Sequence, residues 1–246
     1  MLKNFVIVII TCCLMLIISC DESNPTISND NEVVVGSGNI TSETPTLAEF
    51  HTVVLEGSGN INIREGLEQG VIVDADDNVH QYLTLSVSNG ILTIKTDQDI
   101  SFRNATITYG LTMTDLEKVS IIGAGNIAIP YGFDIDIVTL EVIGAGNVNA
   151  YLHVDTLTTN LIGAGNFNLT GEAYKHKIIL AGAGGISSFG LETNLSDITL
   201  AGAGNIQVDV SQTLIALISG IGNIYYEGSP TIDATITGVG SIIQDN

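Results

Sequence analysis

The sequence predicts an all-β chain wound as a parallel β-helix, and three observations point there. A motif, Gly-small-Gly-Asn followed by Ile, Val or Phe, recurs nine times after residue 33. Its copies fall at a period near 20 residues, the signature of a solenoid or array. Between copies, apolar residues alternate with Thr and Asn at period two, and no stretch shows a convincing helical period.

The chain opens with one positive charge, Lys3, and an unbroken apolar run from Phe5 to Ile18. That run is too short to cross a hydrocarbon layer of ~30 Å as a helix, but it suits the apolar region of a signal peptide. Ile17-Ile18-Ser19-Cys20 follows, then Asp21-Glu22-Ser23-Asn24-Pro25. This resembles the bacterial lipobox, in which the Cys becomes the lipidated first residue of the mature protein. Residues 1–19 are therefore expected to be a lipoprotein signal peptide, with lipidation at Cys20. Residues 20–32 are read as the lipidated Cys and a polar tether, acidic and containing Pro. Cleavage before Cys20 removes Cys12 and Cys13, so the mature chain has no disulfide and no free thiol for catalysis. A multiply acylated Cys would anchor the chain to the membrane at ~0.8 kcal/mol per buried CH₂, with no spanning helix.

Seven Lys+Arg stand against 27 Asp+Glu in 246 residues, a net charge of −20. Loss of the signal peptide takes Lys3 and leaves −21. Phosphate backbones need clustered Lys and Arg, so nucleic acid is excluded as a partner. A hydrophobic content of 45% is enough to build a core and argues against disorder.

The motif copies begin at Gly36, Gly57, Gly123, Gly144, Gly163, Gly182, Gly202, Gly220 and Gly238, with spacings of 21, 66, 21, 19, 19, 20, 18 and 18. Two residues before the first Gly stand Val34, Leu55, Ile121, Val142, Leu161, Leu180, Leu200, Ile218 and Ile236. Four residues after it stand Ile40, Ile61, Ile127, Val148, Phe167, Ile186, Ile206, Ile224 and Ile242. Each unit thus reads as strand, Gly-x-Gly-Asn break, strand. So small a unit cannot bury its apolar face alone and must stack on its neighbours. Gly permits positive φ and close backbone approach, and Asn is the next most tolerant residue in the left-handed region. The break is therefore expected to form the corner of each coil. Asn39, Asn60, Asn126, Asn147, Asn166, Asn205 and Asn223 are expected to stack there as an amide ladder, interrupted by Gly185 and Ser241. A β-propeller fits poorly, because its blades need about 40 residues and four strands each.

The 66-residue gap breaks the period. Within it Asn89-Gly90, between Leu85-Ser86-Val87 and Ile91-Leu92-Thr93-Ile94, is a strong hairpin signal, and Asp76–Gln81 suits one helical turn. Residues 33–122 are expected to form an irregular N-terminal β region with two repeat copies and a hairpin, capping the solenoid. Residues 123–246 are expected to form a regular β-helix of seven GAGN-type coils.

Taken together, the lipobox, the polar tether, the Ser88–Lys95 stretch (SNGILTIK) and the serial GAGN-[IVF] units resemble the head GIN domain family over about residues 48–246. These are lipoproteins of Bacteroidetes-type bacteria, labelled putative auto-transporter adhesins. The resemblance implies a right-handed parallel β-helix and an envelope location. It carries over no catalytic residue.

No chemistry-bearing constellation emerges. A dinucleotide fingerprint needs a third Gly five residues after the first and then a helix, and neither is present. Calcium-binding nonapeptide repeats place Asp where this loop has Asn, at half the period. The carboxylate groups Asp74/Asp76/Asp77, Asp134/Asp136 and Glu192/Asp197 read as solvated turns. His51, His80, His153 and His176 are scattered singly, and Arg64 and Arg103 lie far apart in sequence. Tyr225-Tyr226 and Tyr131 with Phe133 are candidates for sugar stacking, with rim packing the simpler reading. No catalytic residue, metal or cofactor is expected.

The expectation is a non-enzymatic lipoprotein of the bacterial outer membrane, lipid-anchored at the cell surface. It would be an adhesin or binding scaffold that presents an acidic β-helix to a saccharide or protein ligand. Asp21-Glu22 straight after the Cys resembles acidic surface-export signals and favours the outward face. A carbohydrate-active enzyme on the same coils, or a periplasm-facing structural or signalling lipoprotein, are the alternatives.

Overall fold

The computed structural model describes residues 32–245; Cys20, the signal peptide and all but the last residue of the tether lie outside them. The described chain is an all-β solenoid of about seven turns. From Ala145 onward one strand makes each full turn. Ala145–Leu161, Ala164–Leu180, Ala183–Leu200 and Ala203–Ile218 lie parallel, each in register with the next. The chain breaks from strand geometry only at the residue before the first Gly and at that Gly, as at Ile143–Gly144. The break is therefore shorter than the motif, and Ala-Gly-Asn-Ile already belongs to the next strand.

Two columns of glycine explain why the motif tolerates nothing larger. A Cβ built on Gly144 would fall on the carbonyl oxygen of Gly123, and one on Gly146 would fall on that of Gly125. The same relation repeats from Gly123 against Gly57 to Gly238 against Gly220. Eight of the nine copies are thus stacked, from Gly57 to Gly238. At ~4.8 Å per rung they span about 34 Å.

The 66-residue gap is an excursion to the other side of the first rung. Thr52–Leu55 and Ser58–Glu65 pair on one side with Lys118–Ile121 and Ala124–Ile129. On the other side they pair with Ile91–Thr96 and Ile107–Met113. All four pairings are parallel. Gly57 and Gly123 are therefore neighbours in space. Beyond this rung the strands run antiparallel. Leu83–Ser88 pairs with Ile91–Thr96 through a two-residue turn, Asn89 and Gly90, at φ 51° and 75°. Gly70–Asp76 pairs with Ile107–Met113, and Ile40–Glu43 with Gly70–Asp76. A short 3₁₀ turn, His80–Tyr82, follows Gly70–Asp76.

The Gly36 copy does not join the stack. Glu32–Val35 pairs with Ile100–Arg103, and Ile40 is exposed. The reason lies in Asp76. Only 1% exposed, its carboxylate accepts the backbone N–H groups of Gly38 at 2.6 Å and Thr106 at 2.7 Å. Asp76 is thus a clamp for two loops and not the solvated turn the sequence suggested.

The core runs up the axis as columns. Ile61, Ile127, Val148, Phe167, Ile186, Ile206 and Ile224 are at most 1% exposed, as are Leu55, Ile121, Val142, Leu161, Leu180, Leu200 and Ile218. Each such side chain contributes roughly 1.5–3 kcal/mol on burial. One column is interrupted by polar groups. Leu157, His176, Ser196 and Leu214 are successive partners, and all are buried. His176 Nε2 lies 2.9 Å from Thr159 Oγ1, while its Nδ1 has no partner. Burial pushes the imidazole down to about 3, so it is neutral in the folded chain.

Candidate binding face

The asparagines line one outer edge of the solenoid. Asn126 Nδ2 donates to Asn60 Oδ1 at 2.8 Å, Asn147 Nδ2 to Asn126 Oδ1 at 3.0 Å, and Asn166 Nδ2 to Asn147 Oδ1 at 3.2 Å. Where a rung lacks the amide, backbone takes over. The N–H of Gly185 donates to Asn166 Oδ1 at 3.1 Å, and that of Ser241 to Asn223 Oδ1 at 3.0 Å. Asn205 Oδ1 accepts the N–H of Asn223 at 2.9 Å. Two points depart from the sequence reading. Asn126, Asn147, Asn166 and Asn205 sit in extended strand and not at a left-handed corner; among the described residues the non-glycine ones at positive φ are Asn89 and Asn104. Asn39 stands outside the column, donating to Asp77 Oδ2 at 2.8 Å, because its copy of the motif is held in the antiparallel cap. With Ser37 and Asn39 both donating to it, Asp77 is held below the usual carboxylate range. Asn126→Ala deletes the amide-to-amide bonds to Asn60 and Asn147 and the 3.2 Å bond from the N–H of Asn147. At about 1 kcal/mol per bond, discounted for exposure, a loss of roughly 1–2 kcal/mol is expected in denaturant unfolding, with the far-UV spectrum unchanged.

The feature with chemical potential lies on another face. Asp134, His153, Glu172, Glu192, Asp209 and Glu227 are successive register partners on six adjacent strands. The first five of them, with Asp136 and Asp155 beside them, wall a shallow groove of about 540 Å³. Tyr174, 62% exposed, lines it as well. Tyr151 stands edge-on to His153 with its hydroxyl 2.9 Å from Nε2. Among the described residues no lysine or arginine lines the groove. Adjacent strands are ~4.8 Å apart, so like charges face each other across rungs, an arrangement that destabilises a sheet.

The alignment survives changes in unit length. The turns beginning at Gly163, Gly182 and Gly202 are 19, 20 and 18 residues long. The differences are absorbed by bulges between Asn168 and Thr170 and between Ser188 and Glu192, after which Glu192 faces Asp209, and by a further one between Thr193 and Leu195.

The sequence-level candidates distribute unevenly over this face. Asp134 and Glu192, 58 residues apart, are brought into one column. Asp197 is not, because it pairs between Lys177 and Ile215. Phe133 is fully buried and is a core residue, whereas Tyr131 beside it is 81% exposed. Tyr226 packs against the core. Among the described residues no group of three or more His, Cys, Asp or Glu is arranged to hold a metal ion. Asp134, Asp136, Asp155, Glu172 and Glu192 are all exposed, and Asp209 is half-buried. Glycoside hydrolysis needs two carboxylates in contrasting environments, one of them shielded from water. This row meets the solvent throughout. What such a groove can do is accept hydrogen bonds and attract positive charge.

The family described as putative auto-transporter adhesin, head GIN domain, matches residues 49–230, which include the whole acidic column. The chain belongs to the head GIN domain family. Solved structures share its fold. A putative adhesin from Bacteroides fragilis is 25% identical and covers 86% of this chain and 100% of its own, with a TM-score of 0.82. A putative lipid binding protein from Parabacteroides distasonis is 21% identical and covers 87% and 100%, with a TM-score of 0.71. A putative adhesin from Parabacteroides merdae is 20% identical, with the same coverage and a TM-score of 0.61. The last two speak to the head GIN fold alone. No curated protein matches the sequence. The adhesin description of the family and of the Bacteroides fragilis structure supports an adhesin-like, non-enzymatic role for this head GIN chain at the cell envelope.

Proposed function

We propose that the chain is a cell-surface adhesin or binding scaffold, held in the outer membrane by a lipid on Cys20, whose acidic groove is the binding face. One observation carries the reading. Six successive strands keep Asp134, His153, Glu172, Glu192, Asp209 and Glu227 in line, although the unit length changes and like charges oppose one another. A sheet gains nothing in stability from such a row, and bulges on either side maintain it. The ligands it suits are a cationic protein segment or a saccharide whose hydroxyls donate to carboxylates, with Tyr174 available to stack on a sugar face. The solenoid supplies rigidity, and the lipid supplies attachment without a spanning helix.

The test is a protein and glycan array probed with the purified chain and with a Glu172→Gln/Glu192→Gln variant. The expected result is binding by the native chain that the variant loses, while the variant melts at a higher temperature because cross-strand repulsion is relieved. Each exchange is expected to add about 0.2–1 kcal/mol. Binding that the variant retains would remove the groove from the proposal. Resistance of the protein to protease added to intact cells would remove the surface location.

A further inference from the structure

We propose that the C-terminal end of the solenoid is a self-association surface that joins two copies of this chain end to end. Among the described residues no capping element closes the core columns there. Leu214, Ala216 and Ile218, at most 3% exposed, have as register partners Ile232, Ala234 and Ile236 on the last long strand, Thr231–Ile236. Ile232 is 40% and Ile236 47% exposed, and Ala234 is exposed too. Among the described residues no further rung covers these core positions.

The backbone is equally unfinished. Thr231–Ile236 pairs with Thr213–Ile218 on one side, and among the described residues no strand pairs with the other. Such an edge offers a row of free N–H and C=O groups, and proteins ordinarily blunt it with Lys, Pro, a bulge or a covering element. Residues 231–244 contain no Lys, no Pro and one charged side chain, Asp233. In a chain of net charge −20, this is a surface where two copies meet with Asp233 as the one charged side chain of each edge.

The geometry selects a second copy over a lone peptide strand. The open end is a whole solenoid cross-section, with Ile242–Gln244 on another face and an apolar interior between. An identical end matches all of it, whereas a single extended segment covers one edge. The far end presents a different surface, because Leu83–Ser88 and Gly70–Asp76 run antiparallel to the strands of the first rung. Head-to-tail stacking therefore does not continue the parallel columns, and the association closes at two about a twofold axis that sets Thr231–Ile236 antiparallel to its own copy.

Sedimentation equilibrium of the purified full chain, with any bound detergent subtracted, tests this. The expected mass is twice that of one mature chain, falling to that of a single chain for Ala234→Lys, which places a charge on the last strand at the open end. Independently of any variant, amide exchange in Thr231–Ile236 is expected to be slow at high protein concentration and to speed up on dilution. A native chain that stays monomeric at high micromolar concentration, assemblies larger than two, an unchanged Ala234→Lys dimer, or exchange insensitive to dilution would each overturn the proposal.

Discussion

Gly184→Ala is expected to lower stability by about 3–5 kcal/mol. Two terms add. Gly184 sits at φ +142°, where an L side chain is strained by roughly 1–3 kcal/mol. Its new Cβ would also fall on the carbonyl oxygen of Gly165 in the rung below. That obstacle is backbone and cannot rotate away, so the rungs must part, at a further cost of about 1–3 kcal/mol. Gly70→Ala is the control. Nothing lies within 4 Å of its added Cβ, and its φ is ordinary, so its effect is expected to stay within about 0.5 kcal/mol. Urea unfolding of the two variants beside the native chain decides the matter. Equal stabilities would mean that the glycine columns are not in backbone contact.

Acid is expected to weaken the fold through His176, and the sign follows from where the proton binds. In the unfolded chain the imidazole protonates near its ordinary value of 6.5; in the folded chain it resists down to about 3. Between those limits the unfolded state holds more protons, so stability rises with pH across the window and is lost as pH falls through it. The slope approaches about 1.4 kcal/mol per pH unit. The stabilising contribution is fully present above pH 6.5. His176→Leu removes the titration. The difference in unfolding free energy between native chain and variant should therefore be flat above pH 7 and tilt progressively toward the variant from pH 6 to 4. Taking the difference cancels His51, His80, His153 and the carboxylates, which both proteins share. Parallel pH profiles would show that the imidazole is not sealed in the core.

The solenoid was legible because its determinants repeat at fixed offsets from the motif. Leu161 and Phe167 flank Gly163 as Ile121 and Ile127 flank Gly123, and all four are buried. The Asn89-Gly90 turn was legible for a local reason, since two consecutive positive φ angles suit that pair above others. The acidic column was not legible. Its members lie 11, 9, 9, 10, 7 and 7 residues after the first Gly of their units. An alignment on the motif scatters them, and bulges between Asn168 and Glu192 restore the register for Glu172, Glu192 and Asp209. The burial of His176 was not legible for a different reason. Lys175 and Lys177 on either side give it the look of a surface residue, yet a strand turns alternate residues inward, and its neighbours take the charge outward. The Gly36 copy carried the right letters in the wrong setting. Nothing in Gly-Ser-Gly-Asn-Ile itself reveals that Asp76 draws that loop into the cap.

The rung formed by Thr52–Glu65 is sandwiched between one laid down by residues 91–113 and another by 118–129. A simple coil pulled from its first residue can unwind like thread from a spool. Here the thread passes beneath its own second and third loops, so tension entering at residue 32 meets a hitch in place of a free end. Peeling would have to disengage three segments at once before any regular turn could follow, and the junction nearest the expected point of attachment is thereby the part of the rod best built to resist being drawn out.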